Sequence, residues 1–461
     1  MNNHTIVSSL TSEKGMTQAG LVYVCTALDR RQHTFRLIDL SGRISYFHPP
    51  ERLRSTCSSR CWMNPDSIRR GDWMDCYLPS TDEAGDVVFF SSAFSPDVVF
   101  HARYSHNIRT ANPKVITAIG GAALATMGEE QLKLLTEFFD YVLVGHDVTT
   151  LIAHVLDNGR RPQTQREVVR AVASPDFSPD YSRIPLDDFV TVYTGHGCYY
   201  GNCRFCDYPA RAYQNIVFRC PTDVARDIHR IAQLRPSVHD IVLTQDSYTQ
   251  KYLVDTAHET GRYGGQIPYN LMLRAEPWLS HDIGDLLARS GCTDVFIGAE
   301  ALDDELLQVL NKGVSVRDIL NAVKVLSEYV DVTIGMILFV PGATKAALCS
   351  QLRNLEQLLP YLYSIEPEVL TVVNGSTFAR EPSRYGIVLN ATKNVLNDSW
   401  CFGLSQDIPW TLADTDLIET WLAHTDELRK LCAEYVRMQY WDAIEYIRRS
   451  YLDTQFTEQR F

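Results

Sequence analysis

Three cysteines lie close together near the middle of the chain, at Cys198, Cys203 and Cys206. An apolar, β-rich run over residues 189–194 precedes them, so we expect the three thiols on a loop that follows a strand. The loop contains three glycines, in GHGCYYGNC, which allow the backbone to wrap closely around a bulky group. Three thiolates can bind zinc or an iron–sulfur cluster. In a four-iron cluster, three protein ligands would leave one iron open to a chelating molecule.

The spacing of these cysteines also permits other interpretations. A structural zinc site could take His196 as its fourth ligand. The pattern C-x4-C-x2-C also matches the first three ligands of plant-type two-iron ferredoxins. Those proteins are small and β-rich, whereas this motif opens a long series of strands and helices. Buried cysteines without metal are the remaining alternative, and the many glycines in the loop argue against it.

The charge balance of the chain bears on its partners. The 461 residues carry a formal net charge of −13, with 45% hydrophobic and 21% charged residues. A nucleic-acid-binding protein needs a basic face to neutralise phosphates, so the acidic excess argues against a nucleic-acid partner. We therefore expect a small-molecule or peptide substrate.

The sequence contains no recognisable targeting or membrane signal. The first residues, MNNHTIVSSLTSEKG, lack a positively charged region followed by a long apolar stretch. No apolar run approaches the ~18 residues that a membrane helix needs. We expect a cytoplasmic protein, and in that reducing compartment clustered cysteines indicate metal binding rather than disulfides.

Strand and helix patterns alternate over the first part of the chain. The predicted strands are 5–10, 34–40, 86–92, 115–121 and 141–145, with helices such as 17–30, 97–110 and 129–138 between them. Strands that alternate with helices form a parallel sheet with right-handed crossovers. Residues 1–156 are therefore predicted to be a doubly wound, Rossmann-like α/β domain, which binds ligands at the carboxyl ends of its strands.

A second alternation follows residues 157–187, a polar segment rich in Arg, Pro and Ser that we interpret as a linker. The predicted strands are 189–194, 240–244, 266–273, 294–298, 332–339 and 369–373, and the helices are 221–234, 281–290, 301–310, 315–329 and 344–359. Lys312 and Gly313 are expected to close the third of these helices. Six strands over residues 188–386 predict a partial (β/α)6 barrel whose reaction face lies at the carboxyl ends of the strands.

The last part of the chain, residues 387–461, is predicted to be helical. Amphipathic stretches rich in aromatic residues occur at 410–425 and 427–451. They would form either a cap packed on the barrel or a lid over the substrate.

The segment GCYYGNCRFCDY, which contains the three cysteines, resembles the cluster loop of radical S-adenosylmethionine (SAM) enzymes. The first two cysteines are usually separated by three residues in that superfamily. They are separated by four here, and longer spacings occur in members with an N-terminal cobalamin-binding domain. The segments IGAEALDDELLQVLNKG (297–313) and ILFVPGAT (337–344) resemble the fourth-strand and fifth-strand signatures of the superfamily. The resemblance implies that Cys198, Cys203 and Cys206 hold a 4Fe–4S cluster and that SAM is the cosubstrate.

The resemblance also implies a set of SAM contacts at strand ends of the barrel: Phe205, Gln245, Asp246, Arg274, Glu300 and Val340. Phe205 occupies the aromatic position whose backbone usually meets the adenine. Asp246, in TQDSYT, would hold the amino group of SAM, Arg274 would face its carboxylate, and Glu300 would reach the ribose or the amino group. Charge-assisted hydrogen bonds suit arginine to a carboxylate and suit carboxylates to an ammonium group or a diol. Each charged residue could instead form a structural ion pair near a strand end.

Residues 5–155 resemble the cobalamin-binding domain that precedes the barrel in many radical SAM enzymes. The implied cobalamin contacts lie at predicted strand ends: Ser92, Gly120, Gly121 and Gly145. Domains that ligate cobalt through histidine contain D-x-H-x-x-G after the first strand. This chain has SLTSEKGMTQ there, so no histidine lower ligand is implied, and His146 is interpreted as a variant of the pattern rather than a ligand. The alternative is a packing domain whose glycines serve only turns.

The resemblance implies reductive cleavage of SAM to methionine and a 5′-deoxyadenosyl radical, which abstracts hydrogen from an unactivated carbon. With cobalamin beside the site, the implied outcome is C-methylation of a small molecule or peptide in natural-product biosynthesis, with a flavodoxin or ferredoxin as reductant. The alternative within enzymes is a radical cyclisation, rearrangement or oxidation, with or without cobalamin. The alternative from another class is a zinc-stapled binding protein without catalytic activity.

Overall fold

The computed structural model describes residues 3–10, 16–44, 65–92, 95–124, 127–159, 166–171, 178–183, 186–206, 216–263, 267–373, 375–389 and 410–435. Two parallel sheets contain most of the strands in these ranges, and helices pack against both. None of the helices in these ranges is both long and apolar enough to span a membrane. The predicted α/β class is confirmed.

The first seven strands in chain order are β1 (Asn3–Val7), β2 (Met16–Thr17), β3 (Thr34–Ile38), β4 (Val87–Ser91), β5 (Ile116–Gly120), β6 (Tyr141–Gly145) and β7 (Glu167–Ala171). All of them except β2 form one parallel sheet in the order β3-β1-β4-β5-β6-β7. The chain moves outward in opposite directions from β1 and β4, which creates a crevice at their carboxyl ends. The predicted doubly wound, Rossmann-like fold is confirmed.

Helices cover both faces of this sheet: α1 (Ala19–Arg30), α2 (Pro65–Arg69), α3 (Ser95–Ala111), α4 (Glu129–Leu135) and α5 (Val148–Asn158). Successive side chains of a strand point to opposite faces, and the two faces belong to different apolar cores. Ile6 and Leu143 are buried in the core that includes α1 and α5, whereas Val7 and Val142 are buried in the core that includes α3 and α4. Continuous apolar runs in the sequence follow from burial on both faces.

Strand β7 lies within the segment that we interpreted as a linker. It pairs in parallel with β6, from Glu167 opposite Tyr141 to Ala171 opposite Gly145. An edge strand has one unpaired side, so it tolerates charged residues such as Glu167 and Arg170. The polar composition of the segment therefore concealed a strand, and the linker interpretation is corrected over residues 167–171.

The next eight strands are β8 (Phe189–Tyr193), β9 (Gly195–His196), β10 (Val217–Phe218), β11 (Asp240–Thr244), β12 (Tyr269–Leu273), β13 (Cys292–Glu300), β14 (Asp331–Leu338) and β15 (Ser364–Val369). Six of them and β2 form a parallel sheet in the order β15-β14-β13-β12-β11-β8-β2, while β9 and β10 form a separate antiparallel pair. The predicted partial barrel is confirmed, with β2 as an additional short strand. The last barrel strand ends at Val369, where the predicted one begins. The apolar residues after it, Leu370 and Val372, are buried without joining the sheet.

Six helices separate the barrel strands: α6 (Pro221–Leu234), α7 (Gln250–Gly261), α8 (His281–Ser290), α9 (Asp304–Leu310), α10 (Val316–Leu326) and α11 (Lys345–Leu358). Helix α7 was not predicted from the sequence, and it begins after Thr249, whose hydroxyl accepts a hydrogen bond from the Tyr252 N–H at 3.3 Å. Along β13, Val295 and Ile297 are buried in the core, so the alternate residue Glu300 belongs to the concave face of the barrel.

The C-terminal region contains α12 (Thr377–Arg380), β16 (Ile387–Leu389), β17 (Trp410–Leu412) and α13 (Thr415–Cys432). The prediction of a helix from Trp410 was wrong, because Trp410 begins a strand that pairs antiparallel with β16. The indole N–H groups of Trp410 and Trp421 donate to the carbonyls of Leu370 and Val340 at 3.1 and 3.2 Å. This region therefore packs on the loops after the last two barrel strands, and the predicted helix beyond residue 435 lies outside the described residues.

Candidate active site

The three cysteines lie on a loop, residues 197–206, that follows β8 and is named the cysteine loop. Gly195 and His196 precede it and pair antiparallel with Phe218 and Val217. A Cβ atom at position 195 would lie 2.2 Å from the carbonyl oxygen of Val217, so only glycine allows this close approach. The structure therefore contains the predicted loop after a strand.

One end of the cysteine loop is held by the segment after β11. The Asp246 carboxylate accepts a hydrogen bond from the Gly197 N–H at 2.6 Å, and Gln245 Nε2 donates to the Gly197 carbonyl at 2.9 Å. The Ser247 hydroxyl accepts from the Tyr199 N–H at 3.2 Å. Gln245 and Asp246, which the resemblance implies as SAM contacts, thus bind the backbone of the cysteine loop in this structure.

The other end of the cysteine loop is anchored to the segment after α9. The Arg204 N–H donates to the Leu310 carbonyl at 2.9 Å, and Asn311 Nδ2 donates to the Asn202 carbonyl at 2.7 Å. The Tyr200 hydroxyl donates to the Asn311 carbonyl at 2.7 Å. The loop is therefore held between segments that follow two different barrel strands, on the carboxyl face of the barrel.

Cys203 is the most enclosed of the three cysteines, at 9% exposure, whereas Cys198 and Cys206 are half-buried. Burial raises the pKa of the Cys203 thiol, and the Lys312 and Arg274 cations act in the opposite direction. Arg274 Nη1 lies 3.9 Å from the Cys203 sulfur. Cations beside a thiolate stabilise the charged form that binds metal.

The donor set suits a cluster better than a single metal ion. Among the described residues, no group of three or more His, Cys, Asp or Glu side chains converges to hold one ion. A four-iron cluster does not require such convergence, because each cysteine binds a different iron. His196, the alternative fourth ligand for zinc, hydrogen-bonds through Nδ1 to the Tyr193 hydroxyl and stacks on another ring.

Arg274 is 7% exposed and is fixed by three contacts. Its Nε donates to Glu276 at 2.8 Å, and its Nη2 donates to the Lys312 carbonyl at 2.7 Å. Its guanidinium carbon lies 4.1 Å from the centroid of the Tyr200 ring. Burial alone would lower the pKa of Arg274, but hydrogen bonding to Glu276 raises it, so the side chain presents a permanent positive charge beside the cysteine loop.

Lys312 is 5% exposed, and its ammonium group donates to Glu300 at 2.7 Å. The same group lies 6.0 Å from the centroid of the Phe205 ring. The expectation that Lys312 closes a helix is corrected: Asn311, with a φ of 51°, takes the left-handed position after α9. Glu300 has a φ of 65°, a conformation that costs a non-glycine residue about 1–3 kcal/mol and is typical of functional sites.

Of the six implied SAM contacts, three lie together, two bind the backbone at one end of the cysteine loop, and one is engaged by the C-terminal region. Phe205, Arg274 and Glu300 meet around Lys312, next to the cysteine loop. Val340 is fully buried, and its carbonyl accepts the indole N–H of Trp421. Its backbone oxygen is therefore engaged by the C-terminal helix.

Sequence reasoning missed Glu368, on the concave side of β15. Ile365 and Val369 of that strand are buried, whereas Glu366 and Glu368 share the opposite face. Desolvation raises the pKa of Glu368, and together with the nearby carboxylates of Glu300 and Glu366 it brings this pKa to about 7. The sequence feature that could have identified Glu368 is the Glu-x-Glu alternation in SIEPEV, which places both carboxylates on one face of a strand.

A separate apolar cavity of about 290 Å³ lies at the carboxyl edge of the first sheet. Its wall includes Gly120, Gly121 and Gly145, three of the four residues implied as cobalamin contacts. A Cβ atom at position 121 would lie 2.2 Å from the Ser92 carbonyl oxygen, and the φ of Gly121 is 115°, so this position requires glycine. The buried Ser92 hydroxyl hydrogen-bonds to His101 Nδ1 at 2.8 Å, which directs its side chain to that ring.

Comparison with known proteins identifies the second domain. Residues 192–349 match the model of the radical SAM superfamily, and this range contains the cysteine loop and the residues that surround it. Residues 192–349 are therefore a radical SAM domain. A 4Fe–4S cluster and SAM are the cofactors that a radical SAM domain implies. No curated protein matches the chain.

Solved structures resemble both domains of this chain together. The radical SAM methyltransferase TsrM from Kitasatospora setae, solved with tryptophan substrate and a SAM analogue, aligns with a TM-score of 0.67 and 15% identity over 94% of this chain and 89% of that one. The cobalamin-dependent SAM radical enzyme OxsB aligns with a TM-score of 0.63 and 14% identity over 94% of this chain and 66% of that one. At such identities the likeness establishes a shared fold.

Proposed function

We propose that this radical SAM protein is a cobalamin-dependent enzyme that methylates a carbon atom of a small molecule or peptide in natural-product biosynthesis. The observation that carries the proposal is the position of the cysteine loop between the concave face of the barrel and the apolar cavity of the first sheet. Tyr193 ends β8 just before this loop and also lines the cavity. A methyl carrier in the cavity would therefore lie close to a radical source at the cysteine loop.

The cysteine loop has the ligands that a cluster needs. Cys198, Cys203 and Cys206 would hold it, and Arg274 and Lys312 supply positive charge for the SAM carboxylate. When bound, the cluster supplies the electron that splits SAM into methionine and a 5′-deoxyadenosyl radical, and cobalamin supplies the methyl group. The contribution of the chain is to fix the reactants and exclude water, and fixed side chains such as Arg274 lower the entropic cost of that arrangement.

The cavity in the first domain has the lining and the position of a ligand site. Its wall combines glycine backbone with the apolar side chains of Ile6, Phe89 and Leu143 at the carboxyl ends of parallel strands, where this fold binds ligands. His146 also lies in the wall, but its ring stacks on His196. We therefore propose cobalamin binding without a histidine ligand to cobalt.

The proposed substrate class and redox partner are based on the net charge of the chain, on the similar structures and on the chemistry of SAM cleavage. TsrM was solved with tryptophan, which supports a small-molecule or peptide substrate for this chain. The net charge of −13 disfavours nucleic acid, as the sequence predicts. One electron per SAM cleaved must come from outside, so we propose a flavodoxin or ferredoxin as the reductant.

The proposal is tested with anaerobically reconstituted protein, hydroxocobalamin, a chemical reductant that converts the bound cobalamin to its unmethylated Co(I) form, and SAM that carries a deuterated methyl group. The expected results are bound iron and cobalamin, 5′-deoxyadenosine and S-adenosylhomocysteine as products, and transfer of label from SAM to protein-bound cobalamin. Formation of 5′-deoxyadenosine without any transfer of label to cobalamin would favour a cyclisation, rearrangement or oxidation instead. Colourless protein that binds zinc and forms neither product would support the binding-protein alternative.

A further inference from the structure

Two histidine rings connect the cavity of the first domain to the cysteine loop. His146 follows β6 of the first sheet and lines the cavity. Its ring stacks on that of His196 with centroids 4.1 Å apart and planes 12° apart. His196 is 7% exposed and lies just before the cysteine loop, whose first ligand is Cys198. One stacked contact thus joins the two domains between their two candidate cofactor sites.

A tyrosine completes this arrangement. The Tyr193 hydroxyl hydrogen-bonds to His196 Nδ1, and its ring lies 6.0 Å from that of His146 with planes 18° apart. Tyr193 and His146 both line the cavity. A ligand in the cavity that contacts either ring therefore contacts a direct partner of His196.

The backbone around His196 leaves it little freedom to move independently. The preceding residue, Gly195, approaches Val217 so closely that no side chain would fit. The following residue, Gly197, is hydrogen-bonded on both its N–H and its carbonyl, to Asp246 and Gln245. A shift of the His196 ring is thus transmitted to the backbone that leads into the first cysteine.

We infer that His146 is a positioning residue that couples the occupant of the cavity to the geometry of the cysteine loop through the His146–His196 stack. The cysteine loop orients the thiolates, and small changes in sulfur geometry and hydrogen bonding change the magnetic and redox properties of an iron–sulfur cluster. This inference rests on the proposed function, because the cavity ligand in question is cobalamin. The stack itself does not depend on that ligand.

The test uses the reconstituted full-length protein without SAM, and the readout is the electron paramagnetic resonance spectrum and midpoint potential of the reduced cluster. His146→Ala removes the stack and His146→Phe retains a planar ring. In cobalamin-free protein, His146→Ala is expected to change the spectrum and potential, and His146→Phe is expected to leave both near those of the wild type. Equal spectra and potentials in all three proteins would show that the stack does not position the cluster.

The coupling is then measured by adding hydroxocobalamin together with excess chemical reductant, which keeps the cluster reduced and converts the cobalt to diamagnetic Co(I), and by recording the cluster signal at saturation. Bound cobalamin is quantified by its absorption. Wild type and His146→Phe are expected to shift on binding, and His146→Ala is expected to bind cobalamin with the shift lost. A wild-type cluster that does not respond to bound cobalamin, or an undiminished shift in His146→Ala, would overturn the coupling. Failure of the wild type to bind cobalamin would contradict the proposed function and confine the inference to the cobalamin-free comparison.

Discussion

Lys312 and Glu300 form a buried ion pair beside the cysteine loop, with Nζ and Oε1 2.7 Å apart and side chains 6% and 16% exposed. The lysine follows α9 and the glutamate ends β13, so the pair joins two elements that form the carboxyl face of the barrel. Removing one partner of such a pair leaves an uncompensated buried charge, which costs far more than the loss of a surface contact.

We therefore expect Lys312→Met to lower the free energy of unfolding by about 3 kcal/mol and to weaken SAM binding at least tenfold. Lys251→Met is the matched control, because Lys251 is 85% exposed and its pair with Asp255 should contribute less than about 1 kcal/mol. Urea titrations and equilibrium SAM binding measure the two effects. Equal midpoints and affinities for the two variants would show that the pair has no role in the site.

Arg274 provides a second prediction, because its planar guanidinium makes contacts that lysine cannot reproduce. Arg274→Lys keeps the charge but loses the stack on Tyr200 and at least one of the hydrogen bonds to Glu276 and Lys312. SAM cleavage is expected to fall at least tenfold, measured as 5′-deoxyadenosine per cluster. Arg289→Lys, at a position 71% exposed, should retain wild-type cleavage. Wild-type cleavage by Arg274→Lys would mean that charge alone is sufficient there.

A substitution at Gly195 tests whether the close approach of β9 and β10 is needed to support the cysteine loop. Gly195→Ala places a methyl group 2.2 Å from the Val217 carbonyl oxygen. Strands β9 and β10 must therefore separate, and the cysteine loop must lose the support of this strand pair. We expect less iron per chain after reconstitution. Gly128→Ala is the control, since the nearest atom to its added Cβ is 3.8 Å away. Full iron incorporation by Gly195→Ala would contradict this account of the loop.

The raised pKa of Glu368 predicts that the free energy of unfolding depends on pH. This pKa is about 7 in the folded protein, above the ordinary glutamate pKa of 4.5, so the folded state holds this proton more tightly than the unfolded state. The contribution of Glu368 to the free energy of unfolding therefore falls as pH rises from about 4.5 to about 7 and is constant above that range. Solvent screening in the open lumen limits the change to about 1 kcal/mol.

Glu368→Gln cannot ionise, so its stability relative to the wild type should be greater at pH 8 than at pH 5. Urea midpoints at both pH values measure the difference. Glu356→Gln, at an exposed position on α11, controls for the loss of one negative charge. The interpretation fails if the two variants show the same change relative to the wild type between pH 5 and pH 8.

Local signals were sufficient to predict much of the barrel. Helices α6 and α8 have the predicted bounds, because Pro221 marks the first turn of one and Gly291, with a φ of 100°, ends the other. The cysteine loop was predictable because its chemistry is local in sequence. Strand β7 was missed because, at a sheet edge, charged residues replace the apolar pattern of a buried strand.

The remaining features of the site depend on tertiary contacts that no local pattern encodes. Lys312 has the position of a helix-ending residue in the sequence, and only the left-handed turn at Asn311 directs it to Glu300. The stack of His146 on His196 joins two domains whose relative position depends on packing. Sequence alone could identify each of these residues as titratable, but not its partner.

The most direct test of the account measures 5′-deoxyadenosine formed from SAM by anaerobically reconstituted protein with a chemical reductant. Cys203→Ala is compared with the wild type and with Cys349→Ala, which replaces an exposed cysteine on α11. We expect product from the wild type and from Cys349→Ala, and essentially none from Cys203→Ala. Undiminished product from Cys203→Ala would contradict it.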